Sequence, residues 1–329
     1  MLKKILALAA LVVLVPVVAF ASPITTLVVI GDSLSDQGNA FIATGGAFPP
    51  APYNQRASNG PVAVEILAAR LGIPLAPAMA GGTNYAFLGS ATGPVTFPGT
   101  STTTDNLSAV IYSQPALANT GLTNQVLTYL GAGPVADPDG TLFVVWGGAN
   151  DLFIDPSGAT AANAVTNLAN GIGALYGAGA RRFLVPNMPD LSLTPDGLSL
   201  SPVQQAGLQA LSGGFNAGLS SALFGLSLLP GIEITPFDTF ALLTMISADP
   251  AAFGLATAST PCLTGSPAGV VNACADPDNY FFWDTVHPTA AAHRIVGNAL
   301  AEAVGVPEPA AVMLLALGLA VAARRRRRS

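Results

Sequence analysis

Histidine is scarce in this 329-residue chain: His287 and His293 are the only two. Cysteine is equally scarce, with Cys262 and Cys274 alone. Lysine occurs at positions 3 and 4 and nowhere after. Charged residues make up 9% of the chain. Each shortage excludes something. Two cysteines without a histidine cluster make a poor zinc site, and two histidines leave little for a metal-dependent phosphodiesterase. No metal or other cofactor is expected. Between Ser22 and Val306, five arginines face 17 acids, a net charge of −12. Such a body repels nucleic acid and anionic membrane surfaces. The other arginines, Arg324 to Arg328, abut an apolar run rather than alternating with polar or aromatic residues, so they do not read as a nucleic-acid site. No Gly-x-Ser-x-Gly sequence occurs, which argues against an ordinary α/β-hydrolase elbow.

Both ends carry targeting signals. Lys3 and Lys4 precede the apolar stretch Ile5 to Phe20, and Ala19-Phe20-Ala21 is a small-x-small cleavage site. A signal peptide is predicted over 1–21, with an uncleaved anchor helix as the alternative. The C-terminal segment 306–329 reads Val306-Pro307-Glu308-Pro309, then apolar Ala310 to Ala323, then five arginines. Fourteen apolar residues are short for a span, which needs roughly 20. The arginines would stay on the cytoplasmic side. This tripartite end resembles the PEP-CTERM sorting tail of Gram-negative envelope proteins. The resemblance implies transient anchoring, cleavage by an exosortase and release to the cell surface or beyond. A short permanent anchor is the alternative. Outside the cytoplasm, Cys262 and Cys274 are expected to form a disulfide.

The region 22–305 is long enough for one α/β domain. Strands are predicted at Thr25–Ile30, Thr141–Trp146, Arg182–Val185 and Ile232–Thr235. Helices are predicted at Pro61–Leu71, Ala159–Tyr176, Pro202–Leu226, Asp238–Ile246 and Thr289–Ala303. This alternation argues for a mostly parallel sheet of about five strands between helical layers, a three-layer α/β/α sandwich. Ala91–Asn106 and Asp249–Asn279 read as long irregular loops.

Ser33 follows the apolar run Leu27-Val28-Val29-Ile30, in Gly31-Asp32-Ser33-Leu34. A strand ending there sets a hydroxyl at the lip of the sheet, although the same residues are ordinary turn formers. A serine nucleophile needs a base, and that base an orienting acid. In Asp284-Thr285-Val286-His287-Pro288, a carboxylate three residues before a histidine can reach Nδ1 and leave Nε2 for Ser33. Pro288 is expected to start the following helix. His293, with no acid close behind it, reads as a structural or surface histidine. Asn150, in Gly147-Gly148-Ala149-Asn150-Asp151, follows another strand and can supply an oxyanion donor. The glycines of Gly81-Gly82-Thr83-Asn84-Tyr85-Ala86-Phe87-Leu88-Gly89-Ser90 can bring a backbone N–H close to substrate.

These four blocks, in this order from Ile30 to His287, resemble the GDSL, or SGNH, hydrolases. Arg56–Pro61 with Glu65, and Val185–Leu191 with Thr194-Pro195, match the same bacterial esterase and phospholipase-like branch. The resemblance implies a flavodoxin-like SGNH fold, Ser33 as nucleophile, His287 as general base and Asp284 as its partner. It implies an oxyanion hole from the Ser33 N–H, a block-two glycine and Asn150. One departure stands out: Leu88 occupies the position where the family has a glycine, and Gly89 comes one residue later. Gly89 is the expected donor, with the Leu88 N–H as the alternative. The expected function is a secreted serine esterase or lipase that acts on a small ester or lipid. A weakly active or inactive envelope protein on the same scaffold is the alternative. Phe87, Phe97, Phe253 and Leu255 suggest an acyl-binding surface, or equally a core.

Overall fold

The computed structural model describes residues 22–94, 107, 114–265 and 271–306. The signal peptide over 1–21, the sorting segment beyond Val306, and Phe97 with the rest of its loop to Asn106 lie outside the described residues. Among the described residues, no helix is long and apolar enough to cross a membrane.

Four strands form a parallel sheet in the order β1-β2-β3-β4: β1 (Thr26–Gly31), β2 (Thr141–Trp146), β3 (Arg182–Pro186) and β4 (Glu233–Phe237). Gly31 lies opposite Trp146, so the first two strands end level with one another. The first three strands are covered on both faces, which explains their unbroken apolar runs. β4 is an edge strand and carries Pro236, a residue that an edge tolerates. The expected fifth strand is reduced to one bridge between Val29 and Asn84 on the free edge of β1. There Val29 N–H donates to the Thr83 carbonyl at 3.1 Å, and Tyr85 N–H donates to the Val29 carbonyl at 2.8 Å. Phe87 N–H then reaches the Gly31 carbonyl at 3.3 Å, but Gly81-Gly82 and Asn84 have poor strand propensity and no continuous strand forms.

Among the described residues, the α-helices of five residues or more are α1 (Asn39–Ala43), α2 (Ala63–Leu71), α3 (Leu122–Gly131), α4 (Ala149–Ile154), α5 (Gly158–Gly177), α6 (Pro202–Ser227), α7 (Thr239–Ala248) and α8 (Ala290–Ala303). Alternate strand residues face opposite layers. Val28, Ile30, Phe143, Val145 and Phe183 pack against α3, α5 and α6. Leu27, Val29, Leu142, Val144 and Leu184 pack against α2 and α8. The three-layer α/β/α arrangement is therefore present. Ser157 caps α5, and Ser201 caps α6 with Pro202 in its first turn.

The described residues of the stretch Asp249–Asn279 hold more regular structure than their composition suggests. They form β5 (Thr257–Pro261), β6 (Leu263–Gly265) and β7 (Val271–Ala273), followed by β8 (Tyr280–Phe282). β5 pairs with β8, and β6 with β7. Cys262 and Cys274 form the expected disulfide at the base of the β6–β7 hairpin.

Candidate active site

Ser33 owes its position to how β1 stops. A side chain on Gly31 would bring a Cβ within 2.9 Å of the Trp146 carbonyl oxygen, so only glycine fits there without a shift. Gln125 of α3 then acts as a substitute strand partner. Its Oε1 accepts from Gly31 N–H at 2.8 Å, and its Nε2 donates to the Gly31 carbonyl at 2.8 Å. Beyond that point the chain turns. Ser35 and Asp36 N–H both donate to the Asp32 carbonyl, each at 3.0 Å. Asp32 Oδ1 accepts from Leu34 N–H at 3.0 Å. Ser33 sits in this turn, 7% exposed.

The structure brings His287 and Asp284 to Ser33 across 254 residues of sequence. Ser33 Oγ and His287 Nε2 are 2.9 Å apart, and His287 Nδ1 lies 2.8 Å from Asp284 Oδ2. The pairing is local in origin. Asp284 Oδ1 accepts from the N–H groups of Val286 and His287, at 2.9 and 2.7 Å, closing a turn around its own side chain. The expectation that Pro288 starts the helix is not met. Pro288 bridges to Phe282, and α8 begins at Ala290 with Thr289 as its cap. Burial pushes the Asp284 carboxyl up, but His287 and the hydrogen bonds to it outweigh burial and hold it below its ordinary value.

Asn150 enters α4 just past β2. Gly148 before it has φ +120°, and a Cβ there would strike Phe215 at 2.7 Å. Asn150 Nδ2 donates to the Ser90 carbonyl at 2.9 Å, tying it to the block-two loop. In that loop Ser90 N–H bonds the Phe87 carbonyl at 3.2 Å, so Leu88 and Gly89 are the corners of a β-turn. Gly89 has φ +77°, the conformation that favours glycine at the second corner. Leu88 N–H is committed elsewhere, to Asp36 Oδ2 at 2.9 Å, and the Leu88 side chain is buried in a core cluster. Gly89 therefore remains the block-two candidate.

Two polar groups that the sequence reading passed over shape this loop. Asp36 also accepts from the N–H groups of Gly38, Asn39 and Ala40. Burial raises its pKa to about 6 even against those donors. Asn39 Nδ2 donates to the carbonyls of Asn84 and Ala86, at 2.7 and 2.8 Å. Asp32 is likewise lifted by burial, to about 7. His293 is buried rather than surface-exposed, and its Nδ1 accepts from Ala63 N–H at 3.2 Å. Burial, with His287 nearby, lowers its pKa to about 3, so it is neutral across the physiological range.

An apolar pocket opens beside Ser33, His287 and Asn150, with Trp146, Phe153, Leu191, Leu243, Phe281 and Phe282 among its walls. Phe87, Phe253 and Leu255 do not line it; they pack into core clusters instead. Among the described residues, no group of three or more His, Cys, Asp or Glu is placed to hold a metal ion.

Several relatives are similar to this chain in sequence. An uncharacterized protein of the trpE-trpG intergenic region of Pseudomonas putida is 34% identical over 312 residues, covering 85% of this chain and 49% of the relative. Thermolabile hemolysin of Vibrio parahaemolyticus is 28% identical, covering 85% of this chain and 63% of that protein. Esterase EstA of Pseudomonas aeruginosa is 30% identical, covering 85% and 47%. The chain thus spans about half to two-thirds of the length of these relatives. Residues 305–328 match the PEP-CTERM protein-sorting motif. Residues 27–300, which hold the whole constellation from Ser33 to His287, match the GDSL-like lipase/acylhydrolase profile, and the chain belongs to that family.

Proposed function

We propose that this chain is an exported ester hydrolase working through an acyl-serine intermediate. The observation that carries the reading is the run of contacts Ser33–His287–Asp284, at 2.9 and 2.8 Å, at the mouth of an apolar pocket. In the first step His287 Nε2 takes the Ser33 hydroxyl proton as Oγ attacks the ester carbonyl carbon. Asp284 holds Nδ1–H and stabilises the imidazolium. The tetrahedral oxyanion receives hydrogen bonds from the Ser33 and Gly89 N–H groups and from Asn150 Nδ2. His287 returns its proton to the leaving alcohol. Water then attacks the acyl-serine with His287 again as base, and the carboxylic acid departs.

The pocket walls suit an aliphatic or aromatic acyl group, since they offer apolar surface and few polar partners. The sorting motif supports handling by an exosortase-type enzyme, transient anchoring and work outside the cytoplasm. The strongly acidic body argues for an ester or lipid substrate rather than nucleic acid.

The test is turnover of short-chain aryl esters by the purified protein, compared with Ser33→Ala. Loss of turnover and of fluorophosphonate labelling in the variant supports the reading. Equal rates in both proteins would sink it.

A further inference from the structure

The Asp284 carboxylate has one more donor, on the oxygen that also serves His287. The Tyr53 hydroxyl donates to Asp284 Oδ2 at 2.7 Å, from 231 residues away in sequence. Both side chains are buried. Trp283 fixes the Tyr53 ring edge-on, with centroids 6.3 Å apart, inside a cluster that includes Phe48 and Leu88.

We propose that Tyr53 is a positioning residue of the hydrolytic site: its hydroxyl sets the orientation and charge that Asp284 presents to His287. The inference rests on the ester-hydrolase reading above. An ionised carboxylate only accepts, with about four lone-pair sites. Here Val286 N–H and His287 N–H occupy Oδ1, while His287 Nδ1 and the Tyr53 hydroxyl occupy Oδ2. The carboxylate cannot rotate without breaking bonds on both oxygens. The two donors on Oδ2 also share its charge, so the pull on the imidazolium is weaker than His287 alone would feel. Removing the hydroxyl concentrates that charge toward His287 and favours its protonated form. It also frees the carboxylate to swing. The other titratable groups around His287 are Asp32, with Asp151 behind it, and His293 on α8. All three are present in the native and altered proteins alike.

Tyr53→Phe removes the hydroxyl and keeps the ring against Trp283. With an aryl ester, kcat is expected to fall about 10-fold while KM changes little. The acid limb of the kcat/KM profile is expected to move up by about half a pH unit. Site-specific 3-fluorotyrosine at position 53, a stronger donor with the same ring, is expected to move the limb the other way. Proton NMR follows the His287 titration without substrate, and the chain has only one other histidine to resolve. A shifted limb and a shifted titration in opposite senses for the two replacements support the proposal. An unmoved limb and titration overturn it, even if Tyr53→Phe melts earlier, because that outcome describes packing alone. Should Tyr53→Phe fail to fold, the fluorinated protein decides by the same readings. A native protein that turns over no ester, yet shows the NMR shifts, defeats the hydrolase reading and leaves the coupling of Tyr53 to His287 standing.

Discussion

At the residue scale, the site is a matter of which polar atoms are already taken. Asn150 gives one N–H of its amide to the Ser90 carbonyl and keeps the other. Replacing it with alanine would remove the proposed oxyanion donor and release the block-two loop together. Asn150→Ala is expected to lower kcat on the order of 10²–10³-fold with a smaller change in KM, read from steady-state ester hydrolysis. The approach of Asp284 to His287 and of His287 to Ser33 was legible in the sequence because these residues sit in short motifs with their own turn chemistry. Asp284 and His287 are three residues apart, and the pairing needs nothing beyond that turn. Tyr53 and Gln125 were not legible. Their contacts span 231 and 94 residues, and neither lies in a motif that advertises chemistry. Only the fold brings a tyrosine hydroxyl to Asp284 or a glutamine amide to Gly31. His293 was half legible: its lack of a nearby acid marked it as structural, but nothing local showed that Ala63 N–H would bury it.

At the element scale, long periodic segments were the readable ones. β2 has its predicted bounds, and α6 runs one residue past its predicted end, because a fully buried strand and a capped amphipathic helix leave strong patterns. Short elements escaped. β6 and β7 have three residues each, too few for alternation to show, and α3 starts from a glycine with no side-chain cap. The β6–β7 hairpin depends on its surroundings more than on its own propensity. The Cys262–Cys274 disulfide closes a 12-residue separation at its base. In the chain-entropy account, such a loop is worth on the order of 3 kcal/mol. A Cys262→Ser/Cys274→Ser double variant is therefore expected to unfold at lower denaturant concentration than the oxidised native chain. Native protein after reduction should match the variant. An unchanged midpoint in both would show that the hairpin is held by packing alone. The hairpin is remote in sequence from Ser33, but Leu263 N–H donates to the Trp283 carbonyl at 2.7 Å, which ties it to the segment carrying Asp284.

For the whole molecule, buried ionisable groups decide how stability varies with pH. Asp32 and Asp36 hold their protons more tightly when folded, to about 7 and about 6 against an unfolded 3.8. Their contribution is complete below 3.8 and is lost as pH rises through the folded values. His293 works oppositely: lowered from 6.5 to about 3, it costs stability as pH falls below 6.5. Between pH 5 and 8 the two carboxyls outweigh the histidine. The melting temperature is expected to be a few degrees higher at pH 5 than at pH 8, and Asp32→Asn is expected to abolish that difference. Scanning calorimetry at the two pH values checks both statements. The topology has a consequence in time as well as in space. The sheet is laid down in chain order, and its first strand leads to Ser33 while His287 lies beyond the last of the four. A chain that emerges from the ribosome N-terminus first shows its serine hydroxyl more than 250 residues before its imidazole. Throughout synthesis that serine is an ordinary alcohol. A fragment broken off anywhere before Asp284 keeps the serine but lacks the imidazole that the proposed chemistry needs.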